Sequence, residues 1–189
     1  MKRNAKTLGW DFEELEKKGL VQFLFFPPAL FHADEHALLI KEIIEKNSIN
    51  RVFFDGIEDL VTPIPDVIKR RDYVHSLIDH FSSMGITTLM TNEIPELFGN
   101  IRLTLETLSG SVDSVVLLRQ VEVEGHLRKA LSIVKSRGSD HDKEIREYEI
   151  TDRGIKVMIA MKGYENVLAG MARKPPADIF MEIFGGKNP

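Results

Sequence analysis

Apolar runs too short for helices alternate with helix-period stretches along the first half of this chain, and that alternation constrains the fold more than any other feature. Leu20 to Phe26 is apolar apart from Gln22 and is ended by Pro27-Pro28. Arg51-Val52-Phe53-Phe54-Asp55 and Ile86 to Thr91 are runs of the same kind, rich in β-branched and aromatic residues. Their length and nearly continuous apolar character predict three buried strands. Between them lie helices. Asp34 is placed to cap one that runs to about Lys46, with Ala37, Leu38, Ile40, Ile43 and Ile44 as its apolar stripe. A loop from Gly56 to Pro65 leads to a longer helix from about Asp66 to Met84, which Gly85 stops. A short helix over residues 11 to 18, acidic at its start and basic at its end, precedes the first run and stops at Gly19. Strand, helix, strand, helix, strand is the order of a parallel sheet joined by right-handed crossovers.

The rhythm then changes. Ser114 to Gln120 reads as a strand, Glu122 to Gly125 as a turn, and Leu127 to Lys135 as a second strand. Arg146 to Thr151 sets Tyr148 and Ile150 against Glu147 and Glu149, the alternation of a half-buried strand. An antiparallel meander appended to a parallel α/β core is the expected fold class. Beyond Gly154 the pattern weakens, and Arg173-Lys174-Pro175-Pro176 breaks any helix through Asn166 to Met171.

At 189 residues, 43% apolar and 29% charged, the chain falls in the globular class rather than the disordered one. No apolar run reaches the roughly 18 residues that a membrane helix needs. The basic start is followed by no secretory h-region, so a cytoplasmic protein is expected. The absence of cysteine removes disulfides, thiolate metal sites and thiol nucleophiles together. A net charge of −4 argues against a nucleic-acid surface spread over the whole domain.

Ligands of open parallel sheets bind at the carboxyl ends of the strands. Asp55 and the trio Thr91-Asn92-Glu93 fall there. A carboxylate at a strand tip can hold the water shell of a Mg²⁺ ion, and it can equally be a turn or cap residue. In Lys135-Ser136-Arg137-Gly138-Ser139-Asp140-His141-Asp142-Lys143, two cations stand two residues apart at a strand end with a glycine behind them. Such a segment can clamp a phosphate or form a solvated hairpin tip. His32 and His36 are spaced i,i+4 but lack a third ligand. His75 and His80 point to different helix faces, and Lys69-Arg70-Arg71 reads as a solvated helix face. Ser109, Ser111 and Ser114 have no His/Asp pair placed to complete a triad.

Together these residues resemble the RecA-superfamily ATPases of the KaiC type. The resemblance is most specific from Val134 to Ile155, which looks like the family's K-x-R-G-S-x-H-D-K-x-I-R-E-F-x-I-x-D-x-G. Arg3-Asn4-Ala5, Gly9-Trp10-Asp11, the Asp55 strand, Gly85 to Asn92, Asp113 to Leu118 and Gly163 to Gly170 support it in order along residues 3 to 173. The resemblance implies a partial RecA-like ATPase domain over residues 1–157, followed by a C-terminal extension, 158–189, of a short helix and a proline-containing tail. It implies ATP and Mg²⁺ at sites shared between subunits of a ring, typically a hexamer. Asp55 would be the Walker B carboxylate for the metal, and Thr91 or Asn92 would lie near the γ-phosphate. Lys135 and Arg137 would act in trans on the neighbouring subunit's nucleotide. Lys143 and Asp152 would meet the adenine end, with Ser139 and His141 nearby.

The departures from the family pattern carry their own implications. These 189 residues contain no G-x-x-x-x-G-K-[ST], and Gly185-Gly186-Lys187 follows no suitable strand. The family's paired catalytic glutamates have no counterpart either. The expectation is that the P-loop strand is absent, that the chain alone does not hydrolyse ATP, and that the sheet is rearranged or its gap is covered. The apolar tail Ile179 to Phe184 would cover that gap or dock on a regulatory partner. Some relatives phosphorylate adjacent Ser and Thr residues on themselves. Ser109 stands at the Ser position but Gly110 replaces the Thr, so a single phosphosite fits and a dual one does not. The second reading is a non-catalytic RecA-like module acting as an interaction or regulatory subunit.

Overall fold

The computed structural model describes residues 2–26, 32–94 and 110–175. They fall into two compact units. One holds residues 2–22 and 113–175, the other residues 23–26, 32–94 and 110–112.

The second unit carries the crossover pattern. Helix α3 (Ala33–Asn47) leads to strand β1 (Arg51–Phe54), a short helix α4 (Ile57–Val61), the long helix α5 (Val67–Ser83) and strand β2 (Thr87–Met90). β1 and β2 pair in parallel, from Arg51 opposite Thr87 to Phe54 opposite Met90. Local chemistry sets the ends of α5. Asp66 caps it by accepting from the N–H groups of Ile68 (2.8 Å) and Lys69 (3.2 Å). At the other end Gly85 takes φ +70°. The N–H of Ile86 then reaches Phe81 O at 2.9 Å and that of Gly85 reaches Ser82 O at 3.0 Å, the two bonds of a Schellman closure. The same closure drops Ile86 and Phe81 into the core beside Ile40, Ile44 and Leu77. The Phe54 ring stacks on Phe81 with centroids 5.9 Å apart, so α5 is seated directly on β1.

Three expectations are corrected here. Leu20 to Phe26 is not a strand: it joins no ladder among the described residues, and Leu20 (70%) and Phe25 (85%) are exposed. Its first amide is already spent, because Leu20 N–H bonds Leu15 O to close the preceding helix. An apolar run supplies side chains for burial but does not specify a pairing partner. Among the described residues the parallel sheet therefore has two strands, and each is buried on one face only. Val52 and Phe54 turn toward the core, while Phe53 and its register partner Leu89 face outward. Finally, Asp34 lies in the first turn of α3, where it complements the helix dipole, and the capping position is His32.

The first unit begins with helices α1 (Lys2–Thr7) and α2 (Phe12–Lys17) and continues with the meander. β3 (Ser114–Val123) and β4 (His126–Ser136) form a hairpin whose turn residues Glu124 and Gly125 take φ 51° and 77°. Positive φ at both central residues is the type I′ turn that matches strand twist, and a glycine in the second place supplies it without strain. β5 (Arg146–Thr151), β6 (Gly154–Ala160) and β7 (Met171–Ala172) complete a sheet of order β6-β5-β4-β3-β7, with β7 parallel to β3. Leu117, Arg119, Val121 and Val123 alternate into the buried face of β3. Val121, Val123 and Ala130 pack with Val167 from a single 3₁₀ turn, Val167–Ala169, in place of the expected helix. Buried Arg119 donates to Leu168 O and ties that turn to the sheet. β6 lies where the sequence pattern was read as weakening, and it runs through residue 157. Of the pair read as inward on β5, Tyr148 is buried but Ile150 is 55% exposed. The tail from Pro176, including Ile179 to Phe184, lies outside the described residues.

Candidate functional site

The parallel ladder continues past both strand ends, and that continuation builds one candidate cluster. Thr91 N–H donates to Phe54 O at 2.9 Å, and Ile57 N–H donates to Thr91 O at 2.9 Å. Asp55 and Thr91 are thereby held side by side beyond the last register pair. The Thr91 hydroxyl donates to Asp55 Oδ1 at 2.9 Å and lies 3.3 Å from Phe54 O. Among the described residues Asp55 Oδ2 accepts no hydrogen bond, and the carboxylate is exposed. One oxygen fixed and one turned to solvent is a fitting arrangement for a hydrated Mg²⁺, which prefers one or two carboxylates and keeps several waters. Asn92 follows, half-buried, and Glu93 is exposed.

A separate candidate cluster lies on the other unit. Lys135 is the penultimate residue of β4, half-buried, and Arg137 stands exposed just beyond the strand. A bulge between Val115 and Val116 in the β3–β4 register shifts the strand end that carries Lys135. Arg137 N–H bonds Asp113 O at 2.8 Å, which fastens its backbone to the start of β3. Gly138 takes φ +73°, and the hydroxyls of Ser136 and Ser139 meet at 2.9 Å across the turn. Asp140 Oδ1 accepts from His141 N–H at 3.0 Å and lies 3.7 Å from Lys143 Nζ. The Lys143 and Asp140 side chains are 77% and 91% exposed, so that pair contributes little to stability. Asp152 lies in the β5–β6 turn, exposed, and its side chain makes no hydrogen bond among the described residues. Thr151 shapes that turn by donating to Gly154 O at 3.0 Å and accepting from Arg153 N–H at 3.2 Å.

Thus Asp55 and Thr91 come together on one unit, while Lys135, Arg137, Ser139, His141, Lys143 and Asp152 are carried by the other. Ser109 lies outside the described residues. Residues that sequence reasoning missed surround the loop. Asp142 Oδ2 accepts from Arg146 Nε at 2.6 Å, and its Oδ1 accepts from Glu144 N–H at 2.9 Å. That backbone N–H and the Arg146 guanidinium hold the Asp142 carboxyl below the usual carboxylate range. The i,i+4 spacing of Asp142 and Arg146 was the available signal, but it reads as helical and the segment is not a helix. His75 Nδ1 meets Ser111 Oγ at 2.8 Å, a pairing across 36 residues that no local spacing announces. His36 Nδ1 lies 2.8 Å from His32 O, and no group of three or more metal-ligating side chains occurs among the described residues. Arg70 of the basic run donates to Ile64 O and Thr62 O, so it serves the loop before α5.

Residues 1–162 match the family described as ATPase: KaiC. The chain belongs to the KaiC ATPase family. It is 32% identical over 168 residues to the circadian clock protein KaiC3 of Synechocystis, a match that covers 89% of this chain and 33% of the relative. It is 30% identical over 183 residues to the circadian clock oscillator protein KaiC of Thermostichus vulcanus, covering 97% and 35%. The corresponding protein of Prochlorococcus marinus is 31% identical over 168 residues, covering 89% and 34%. The chain therefore spans about a third of the length of these relatives. Its parallel pair with flanking helices and its antiparallel meander accord with the RecA-like α/β fold expected of a KaiC domain. Among the described residues no helix is long and apolar enough to cross a membrane.

Proposed function

We propose that this chain contributes to an ATP site of the KaiC kind, formed where subunits meet. Asp55 holds Mg²⁺ through its water shell, with Thr91 fixing the carboxylate and Thr91 and Asn92 close to the γ-phosphate. Lys135 and Arg137 act on a neighbouring subunit's nucleotide, where fixed cations stabilise the charge that spreads over a transferring phosphoryl group. Ser139, His141, Lys143 and Asp152 receive the adenine end. The assembly is a ring, in the family's manner a hexamer, in the cytoplasm. The single observation that carries the reading is the Asp55–Thr91 pair at the tips of paired parallel strands, where an α/β sheet binds its ligand.

These 189 residues hold no Walker A sequence, so the phosphate cradle comes from residues outside them. The test is ATP hydrolysis by the chain with and without a P-loop-bearing subunit of the family. The expected result is none alone and stimulation of the partner, lost in Arg137→Ala. Robust hydrolysis by the isolated chain would refute it. The missing Walker A also favours a second reading, a non-catalytic regulatory module. Native mass spectrometry distinguishes it: a defined complex whose partner's ATPase is unchanged by Arg137→Ala supports that module.

A further inference from the structure

The cations assigned to the nucleotide sit on, or next to, a loop with no regular secondary structure from Arg137 to Ile145. A loop delivers side chains to a ligand accurately only when something rigid holds it. Arg146 is the first residue of β5, paired to Leu131 on one side and to Ala160 on the other, so its backbone is inside the sheet. All three of its guanidinium nitrogens are engaged. Nε donates to Asp142 Oδ2 at 2.6 Å, Nη2 to Glu144 Oε2 at 3.2 Å, and Nη1 to Met158 O of β6 at 3.4 Å. Asp142 in turn accepts Glu144 N–H, and Lys162 Nζ lies 3.3 Å from Glu144 Oε1. The loop is thus gripped at two carboxylates from one planar cation whose third nitrogen is fixed to the neighbouring strand. A lysine has one nitrogen and no fork, so it cannot reproduce this grip.

We propose that Arg146, through Asp142 and Glu144, is the positioning residue that presents His141 and Lys143 to the nucleotide. The inference rests on the nucleotide reading given above. It separates the rest of the loop from Arg137, whose backbone is fastened independently to Asp113. Loss of the grip should therefore weaken binding of the nucleotide while leaving the charge stabilisation by Arg137 in place.

The experiment uses the full chain in two arms. Hydrogen exchange on the chain alone follows the amides of Ser139 to Ile145 in wild type, Arg146→Lys and Asp142→Asn, the second being a surface change that leaves the sheet intact. Exchange in the loop should rise in both variants while the β3–β4 amides stay protected. In the second arm, Mg-ATP hydrolysis is measured with a P-loop-bearing family subunit. Both variants should raise KM about tenfold with kcat retained, whereas Arg137→Ala should lower kcat. Unchanged loop exchange overturns the grip. Raised exchange with unchanged KM overturns its role toward the nucleotide. Absence of any stimulation by wild type, with loop exchange raised in the variants, overturns the nucleotide reading and this inference with it.

Discussion

The Asp55–Thr91 hydrogen bond can be weighed by a double-mutant cycle. Thr91→Val keeps the β-branched shape and removes only the hydroxyl. Phe54 O loses a 3.3 Å contact but keeps its 2.9 Å bond from Thr91 N–H, so no buried carbonyl is orphaned. Asp55 is exposed and water replaces the lost donor, which puts the cost below the usual range for a hydrogen bond to a charged group, at about 0.5–1 kcal/mol. Thr91→Ser keeps the hydroxyl and should cost less. In the cycle of Asp55→Ala with Thr91→Val, the coupling energy from urea unfolding should be about 0.5–1 kcal/mol. Asp55→Asn should barely change stability, since the amide oxygen still accepts from Thr91, yet it should abolish Mg²⁺-dependent nucleotide binding because the charge is gone. The same ~1 kcal/mol, if it orients the carboxylate for metal, predicts roughly fivefold weaker Mg²⁺ dependence in Thr91→Val. A coupling energy of zero, or equal Mg²⁺ dependence in Thr91→Val and wild type, would refute the orienting role.

Phe81, 1% exposed and stacked on Phe54, should cost about 3–5 kcal/mol on Phe81→Ala, read by urea unfolding. Asp66→Ala removes the acceptor for two amides at the start of α5 and should cost about 1 kcal/mol, which Asp66→Ser largely restores. Glu124 accepts from Lys174 Nζ at 3.1 Å and from Tyr164 Oη at 3.2 Å, and these partners, Lys174 foremost, hold its carboxyl below the ordinary glutamate value. Because the folded value is depressed, the stabilisation is complete above the unfolded value and is lost as pH falls through the folded one. The Val167 methyl resonances should therefore shift on acidification below the ordinary glutamate range, and Glu124→Gln should flatten that response.

How much was legible in the sequence depended on whether the determinant was local. Gly19 and Gly85 announced helix ends because a left-handed residue closing a helix needs no distant partner, and both take φ 70°. Arg146–Thr151 was read to the residue, since alternation is a property of the strand itself. Leu20 to Phe26 misled because pairing is not local: four or five apolar side chains in a row are compatible with a ladder but do not create one. β6 was missed for the opposite reason. Its outward residues Ile155, Val157 and Ile159 are apolar and largely exposed, so the hydrophobic pattern did not mark a buried face. At the site, Asp55 and Thr91 could be placed at strand ends from sequence, but their contact spans 36 residues and needed the parallel register to appear. The Arg146 grip was hidden because its donor lies in a strand and its acceptors in a loop.

The two candidate clusters, one on each unit, achieve precision by different physical means, and this determines what disturbs each. Asp55 is fixed by backbone: a parallel ladder, extended by the Thr91 and Ile57 amides, over a core of Phe54, Phe81 and Ile86. Salt barely touches such bonds, so its geometry should follow the packing of α5 on β1 and fail only when that core is damaged. The loop from Arg137 to Ile145 is held largely by side-chain charge, with Arg146, Asp142 and Glu144 each between 35% and 42% exposed. Ion pairs at that exposure are screened as ionic strength rises, the Debye length shrinking from about 10 Å at 0.1 M to about 3 Å at 1 M. Salt should therefore loosen the loop that carries His141 and Lys143 before it affects Asp55. Phe81→Ala should do the reverse, disturbing the carboxylate while leaving the charged grip intact.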